Sequence, residues 1–169
     1  TSGFAKWEDI EAMLPYVDIF LWDVKESDSA RHKEYTGVPN ERILENLRKL
    51  NAEGAGIVLR CPIIPGYNDR EEHLEFIGSL AEELEHVIRV DVDPYHPLGK
   101  SKSEAIGKKY PLEDLSFPAD ETVKEWIKEM LGEDFSLEDV QRMLTVDKDC
   151  RDLNQYLEKF GLPVKTLQT

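Results

Sequence analysis

An aspartate and a lysine stand two positions apart at the end of an apolar stretch, in the segment "LWDVK" at 21–25. If this stretch is a β-strand, Asp23 and Lys25 project from the same face at its carboxyl end. A lysine there can hold a substrate carboxylate as a point charge, or act as a Schiff-base nucleophile when it is removed from water. The alternative is a solvated ion pair that contributes roughly 0–1 kcal/mol to stability.

The histidine in "DPYHPLG", His96, directly follows another apolar stretch and is the second candidate. Neutral and charged imidazole are both accessible near pH 7, so His96 can donate a hydrogen bond or act as a ligand. A structural role is the alternative. The other histidines, His32, His73 and His86, are weaker candidates, because His73 and His86 fall in or beside a helix that is predicted to be exposed.

Arg60 lies near the end of the second apolar stretch along the chain and is the remaining candidate at a strand end. Its planar guanidinium can clamp a carboxylate, or the backbone carbonyl groups of a partner, through parallel hydrogen bonds. A structural ion pair with Asp23 or Asp91 is an equal alternative.

The elements that must position these side chains are three short stretches rich in β-branched and aromatic residues, at 17–24, 56–64 and 87–95. Each predicts a strand that is covered on both faces. Helical patterns with a single apolar stripe separate them, which favours right-handed βαβ units, a parallel sheet and an α/β fold. Chemistry in such sheets lies at the carboxyl ends of the strands, so the loops that follow the three stretches matter most.

Capping residues set the expected starts of the helices. Asn40 is predicted to cap the first helix, Asn68 or Asp69 the second, and Asp120 the one after the third strand. These side chains accept hydrogen bonds from the first free N–H groups of a helix.

The composition excludes several classes of partner. The 169 residues include 35 acidic and 21 basic side chains, for a formal charge of −14, which repels nucleic acids and anionic lipids. No apolar stretch approaches the roughly 20 residues of a membrane helix, and no basic and apolar leader opens the chain, so we expect a cytoplasmic protein without membrane contact. Cys61 and Cys150 are the only cysteines and match no metal-ligand spacing.

Four segments, taken in order, closely resemble the later part of glycyl-radical enzyme activating enzymes. These are the pyruvate formate-lyase activating type in the radical S-adenosylmethionine superfamily. The segments are "TSGFA", "DIFLWDVKESDSARHKEYTGVPNERILENLRKL", "VLRCPIIPGYND" and "DPYHPLGKSKSEAIGKKYPLEDLSFP". Their combined order and spacing are far more specific than any one motif.

The resemblance covers about residues 1–131 and implies the carboxyl-terminal half of a partial (β/α) barrel. Residues 132–169 are expected to form a helical extension, with helices at 136–146 and 149–160. Within that extension, "LNQYLEKFGLPVKT" resembles a closing helix and strand.

The resemblance also implies a cofactor and a partner. S-adenosylmethionine would lie across the strand ends, an iron–sulfur cluster would cleave it reductively, and the 5′-deoxyadenosyl radical would take a hydrogen atom from a glycine of the partner. That partner would be a pyruvate formate-lyase-like glycyl-radical enzyme, with flavodoxin or ferredoxin as reductant. By motif, Asp23 would lie beside a cation site near the methionyl carboxylate. The expected cofactor-binding residues are Lys25, His96, Asp23, Arg60, Thr1 and Ser2.

Two features depart from the family pattern. The three-cysteine cluster motif and the glycine-rich segment, both expected before residue 1, are missing, and two distant cysteines do not supply a [4Fe–4S] cluster. We therefore expect a part of a longer protein that does not cleave S-adenosylmethionine alone. Asp93 also stands where the family usually has an apolar residue.

Two alternatives remain open. One is a non-catalytic module that docks a glycyl-radical enzyme without activating it. The other is an aldolase-like barrel that uses Lys25 as a Schiff-base residue.

Overall fold

A single parallel sheet is the frame of the chain. The structure is a computed structural model, which describes residues 1–97 and 103–132 and the backbone of 143–145. The strands lie in chain order across the sheet, and every neighbouring pair is parallel. They are β1 (Ile19–Asp23), β2 (Gly56–Ile63), β3 (Val87–Pro94) and β4 (Met143–Thr145). The α/β class and the three parallel strands predicted from the apolar stretches are confirmed.

Helices lie before the first strand and between successive strands. They are α1 (Trp7–Glu11), α2 (Ser29–Thr36), α3 (Glu41–Ala52), α4 (Glu71–Glu83) and α5 (Asp120–Leu131), with a 3-10 turn at Leu14–Tyr16. Helix α2 was not predicted, because its eight residues have no apolar stripe. It is defined by its ends: the Asp28 carboxylate accepts a hydrogen bond from the Arg31 N–H, and Gly37 terminates it in the left-handed conformation.

The predicted caps lie within two residues of the observed helix starts, but none of their side chains makes a capping hydrogen bond. Asn40 immediately precedes α3, yet its side chain makes no capping bond. Asp120 is the first residue of α5, after Ala119, and α4 begins after Arg70 rather than directly after Asp69. Local sequence therefore marked the starts to within one or two residues.

The helical extension predicted after residue 131 is wrong where the structure describes it. Residues 143–145, inside the helix predicted at 136–146, form β4 and pair with Val90–Val92 of β3. A strand there completes the backbone hydrogen bonds of the edge of β3 that β2 leaves free. The helix predicted at 149–160 and the closing segment lie outside the described residues.

The sheet has one face covered by helices and one that is not. Side chains such as Phe20, Trp22, Leu59 and Val92 form a continuous core with α3, α4 and α5. On the opposite face Ile19, Leu21 and Ile88 remain about half exposed. The expectation that strands are covered on both faces is therefore met on one face only within the described part of the chain.

Gly78 allows α4 and α5 to pack closely over this core. A Cβ atom at Gly78 would lie 1.9 Å from the backbone oxygen of Met130. No helix within 1–97 and 103–132 is long and apolar enough to cross a membrane.

We predict that the uncovered face makes the 169-residue chain self-associate. Ile19 and Ile88 flank Gly56, where they expose apolar surface that parallel sheets usually bury. The charge of −14 opposes association but is screened over about 10 Å at 0.1 M salt, so sedimentation should show larger species as salt rises.

The double variant Ile19→Lys and Ile88→Lys should sediment as a smaller species at high salt. Ile106→Lys is the control, because Ile106 is an exposed apolar residue outside the sheet. Equal sedimentation of the wild-type chain at low and high salt would contradict the prediction.

Candidate functional site

Parallel pairing places charged side chains of three strands side by side. Asp23 lies opposite Arg60, and Pro62 lies opposite Asp93, so these positions share the uncovered face near the carboxyl ends of the strands. Lys25 follows two residues after Asp23, and its Nζ lies 2.6 Å from Asp23 Oδ2. Arg60 Nη1 lies 3.8 Å from Asp23 Oδ1, and Arg60 Nη2 lies 3.1 Å from Asp93 Oδ2. We call Lys25, Asp23, Arg60 and Asp93 the charge row.

The charge row alternates in sign and is partly open to water. The side chains of Lys25 and Arg60 are 35% and 44% exposed. The ion pair of Arg60 with Asp23, one of its predicted alternatives, is found, but at 3.8 Å it is longer than the 3.1 Å pair of Arg60 with Asp93. Its predicted pairing with Asp91 is not found, because Arg89 holds Asp91, with Nη2 and Oδ2 3.0 Å apart.

Asp93, where the family pattern has an apolar residue, has a charged partner in this structure. It accepts a hydrogen bond from Arg60 across the uncovered face, where an apolar residue would leave that cation with Asp23 alone. Burial raises the pKa of Asp93, and the neighbouring Arg60 offsets part of that effect. Asp91 and Asp23 raise it further by repulsion between like charges.

Thr1 lies along the outer edge of β1. Its backbone nitrogen donates to the Leu21 oxygen at 2.7 Å, and the Asp23 N–H donates to the Thr1 oxygen at 2.9 Å. The structure therefore places Thr1 directly beside Asp23. Ser2 is exposed and follows it.

The segment after Ser2 is fixed by two contacts from the core side. Gly3 has φ +69° and lies so close to the Trp22 ring that a Cβ would be 2.0 Å from Trp22 Cζ2. The buried Asn46 amide donates to the backbone oxygens of Gly3 and Ala5, at 2.9 and 3.1 Å. Both contacts hold Thr1 against β1.

His96 lies at the same edge of the sheet but apart from the charge row. The Tyr95 N–H donates to the Ile63 oxygen at 2.9 Å, which carries the pairing of β2 and β3 one residue past Pro94. The Tyr95 hydroxyl lies 3.1 Å from the Tyr110 hydroxyl, and this anchors the segment. His96 comes next and is exposed, so the structure leaves it accessible to a ligand.

A buried polar cluster lies behind Lys25, and the sequence reasoning missed it. Glu26 is buried, and both of its carboxylate oxygens accept hydrogen bonds from Arg70, at 2.9 and 3.0 Å. The Asp28 N–H donates to the same carboxylate at 3.0 Å. Burial alone would raise the pKa of Glu26, but these hydrogen bonds lower it to about 2.

His73 belongs to this cluster, so the prediction that it lies on an exposed helix is wrong. Its side chain is completely buried, and its Nδ1 accepts the Ser27 N–H at 3.0 Å. Burial lowers the pKa of His73 to about 4, so the ring is neutral at pH 7. The spacing to Ile77 and Leu80, four and seven residues on, places it in the apolar stripe of α4 and was the signal available in the sequence.

Two asparagine amides hold the backbone around Glu26. Asn68 donates to the Lys25 oxygen at 2.8 Å and to the Pro62 oxygen at 2.7 Å. Asn40 donates to the oxygens of Glu26 and Ser27, at 3.0 and 2.8 Å. Neither amide caps the following helix as predicted, because each one instead joins two loops at the carboxyl ends of the strands.

The residues that the structure describes do not fit an iron–sulfur cluster. Cys61 is fully buried in the core face of β2. Burial raises the pKa of its thiol well above the ordinary value, and nearby carboxylates raise it further, so the thiolate that a metal needs is disfavoured. Cys150 lies outside the described residues.

Comparison with known proteins shows what the chain resembles. It is 43% identical over 122 residues to the isethionate sulfite-lyase activating enzyme of Nitratidesulfovibrio vulgaris, covering 71% of this chain and 39% of that protein. It is 39% identical over 127 residues to the trans-4-hydroxy-L-proline dehydratase activating enzyme of Clostridioides difficile, covering 74% of this chain and 42% of that protein. The chain is a homologue of glycyl-radical enzyme activating enzymes.

Other activating enzymes agree with this assignment. The pyruvate formate-lyase-activating enzyme of Staphylococcus aureus is 36% identical over 114 residues, which are 68% of this chain and 45% of that enzyme. The chain spans about two fifths of the length of these curated relatives. No family model matches it.

A solved structure shares the fold. The crystal structure of a domain of pyruvate-formate lyase-activating enzyme from Bacteroides vulgatus superposes with a TM-score of 0.66 at 21% identity. The match covers 87% of this chain and 78% of that domain. The two chains therefore share a fold.

We predict that Gly3→Ala destabilises the fold more than the same change at Gly37. Both glycines have positive φ, which costs an alanine about 1–2 kcal/mol. Gly37 has no neighbour within 4 Å of an added Cβ, whereas Gly3 meets Trp22, so overpacking should bring the loss at Gly3 to about 3 kcal/mol. Urea unfolding of both variants measures the difference, and equal losses would contradict the packing role of Gly3.

We also predict a loss of stability in mild acid that depends on His73. Its pKa is about 4 in the folded state and 6.5 for a free histidine, so the unfolded state binds more protons between these values. The free energy of unfolding should therefore fall by about 3 kcal/mol as pH drops from 6.5 towards 4, and Glu26 should add a further loss from pH 4.5 towards 2.

Urea unfolding between pH 7 and pH 4 tests this prediction. His73→Asn keeps an acceptor for the Ser27 N–H but does not titrate, so its stability should depend less on pH than that of the wild type. His86→Asn is the control, because His86 is outside the cluster and partly exposed. An unchanged pH dependence in His73→Asn would contradict the assignment.

Proposed function

We propose that this chain is the carboxyl-terminal part of an enzyme that activates a glycyl-radical enzyme, and that the charge row binds the methionyl group of S-adenosylmethionine. The observation that carries the proposal is the alternation of cation and anion at the carboxyl edge of a parallel sheet, in a homologue of activating enzymes. Ligands of open α/β sheets bind at this edge.

The charge row is complementary to a zwitterionic amino-acid group. Lys25 and Arg60 offer donors to an α-carboxylate, and Asp23 and Asp93 offer acceptors to an α-ammonium group. Because these groups already hold one another at 2.6–3.8 Å, a ligand meets them in a largely preformed arrangement. Such positioning lowers the ordering cost of binding and orients the reacting bond.

In this proposal, the iron–sulfur cluster that cleaves S-adenosylmethionine is bound by residues that this chain does not contain. When bound, a [4Fe–4S] cluster supplies the electron for reductive cleavage of S-adenosylmethionine, with flavodoxin or ferredoxin as its source in this proposal. Cys61 is buried and disfavoured as a thiolate, so the cluster ligands must come from elsewhere in the enzyme. The partner is a glycyl-radical enzyme, in keeping with the names of the relatives.

The charge row does not favour the aldolase-like alternative. A Schiff-base lysine is activated by removal from water or by another cation. Lys25 is instead partly exposed to water and donates a hydrogen bond to the Asp23 carboxylate.

We predict that Lys25→Ala and His96→Ala each weaken productive binding of S-adenosylmethionine in the complete activating enzyme. Loss of a charge-assisted contact should raise the dissociation constant about tenfold or more for Lys25→Ala, and the exposed His96 should have a smaller effect. Equilibrium binding and the anaerobic release of 5′-deoxyadenosine measure the two steps.

Lys49→Ala is the matched control for Lys25. Lys49 pairs with Glu45 on α3 at the same 2.6 Å distance, but away from the strand ends. Unchanged binding and cleavage in the Lys25 variant would remove the charge row as the site, and unchanged values in the His96 variant would remove His96 from it. If the complete protein bound the glycyl-radical enzyme but released no 5′-deoxyadenosine, the non-catalytic docking module would be the better description.

A further inference from the structure

Glu26 lies directly behind the lysine of the charge row. Just past the end of β1, Lys25 bonds to Asp23 on the open face of the sheet, whereas Glu26 bonds to Arg70 on the buried side. The side chain of Glu26 is fully buried, whereas that of Lys25 is 35% exposed. The backbone that carries the Lys25 ammonium group is therefore the backbone that Glu26 ties to the interior.

The bidentate contact to the Glu26 carboxylate comes from the loop that follows β2. Arg70 binds both carboxylate oxygens in a bidentate pair, and it also donates to the Tyr67 oxygen of its own loop at 3.0 Å. Asn68, from the same loop, donates to the Lys25 oxygen and to the Pro62 oxygen. These bonds fix the segment after β1 to the end of β2, on either side of the Lys25 backbone.

An ion pair in this place is not needed for stability alone. Burying two charges carries a desolvation penalty, and well-packed apolar residues often stabilise a fold as well or better. The pair fixes the orientation of the two side chains, because a planar guanidinium forms two parallel hydrogen bonds to a carboxylate in one geometry. Four charge-assisted or amide hydrogen bonds then restrict where Lys25 can lie relative to Asp23 and Arg60.

We propose that Glu26, held by Arg70, is a positioning residue that places Lys25 for the ligand of the charge row. This inference rests on the proposed function, because it needs Lys25 to contact that ligand. Glu26 itself faces away from the ligand and acts only through the backbone it shares with Lys25. Replacing it should therefore change the contribution of Lys25 and leave the other ligand contacts intact.

A double-mutant cycle for binding of S-adenosylmethionine to the complete activating enzyme tests this. Glu26→Gln keeps the shape of the side chain but removes the charge, and it should weaken binding roughly three- to tenfold. In a Lys25→Ala background the same change should weaken binding less than about twofold, because no ammonium group remains to be positioned. A general loosening of the fold would lower the affinity equally in both backgrounds.

Arg70→Lys provides a second route if Glu26→Gln fails to fold. It keeps the charge but loses the bidentate geometry, so it should give the same pattern with a smaller effect. Glu83→Gln is the matched control. Glu83 also forms a bidentate pair, with Arg48 at 2.6 and 3.1 Å, but that pair is about half exposed and joins α3 to α4 away from the strand ends.

The outcomes separate the two proposals. If Lys25→Ala leaves binding unchanged, the proposed ligand site itself is wrong. If Lys25→Ala weakens binding but Glu26→Gln and Arg70→Lys either leave it unchanged or weaken it equally in both backgrounds, the positioning role is wrong. If the loss depends on Lys25 and Glu83→Gln binds like the wild type, the positioning role is supported.

Discussion

The in-register parallel pairing of β1 with β2 is the constraint on which the candidate site depends. Asp23 lies opposite Arg60, so the charges meet on one face while Trp22 and Leu59, one residue earlier, lie together in the core. A slip of one residue would turn the charged side chains into the core and the apolar ones into water. The apolar packing under α3 and α4 therefore sets the geometry of the charge row as strictly as the ion pairs do.

The strands and the shared face of Asp23 and Lys25 could be predicted because their signals are local. Apolar runs separated by amphipathic helices specify a parallel α/β sheet, and alternation specifies which side chains share a face. Helix α2 and strand β4 could not be found this way. Helix α2 is defined by its two capping residues rather than by an apolar stripe. Strand β4 pairs with an edge of β3 that exists only in the folded sheet.

The buried cluster around Glu26 could not be predicted from short stretches of sequence, because its members come from distant parts of the chain. Glu26 and Arg70 are 44 residues apart, and nothing near either one marks it as buried. Asn40 and Asn68 do carry a local signal, and they were predicted as caps, but their amides are used to join loops. An asparagine before a helix can satisfy the helix or a neighbouring segment, and only the tertiary contacts decide which.

Charged groups act in this molecule both through local contacts in the charge row and through the net charge of the chain. The charge row itself contains two cations and two anions, so it selects the orientation of a zwitterion rather than attracting net charge. The chain as a whole carries −14, and such a field raises the local concentration of positively charged ligands. S-adenosylmethionine has a sulfonium and an ammonium group against one carboxylate and is therefore a net cation. Under the proposed function, the acidic surface would favour its approach and the charge row would fix its orientation, so raised salt should slow the approach more than it disturbs the bound geometry.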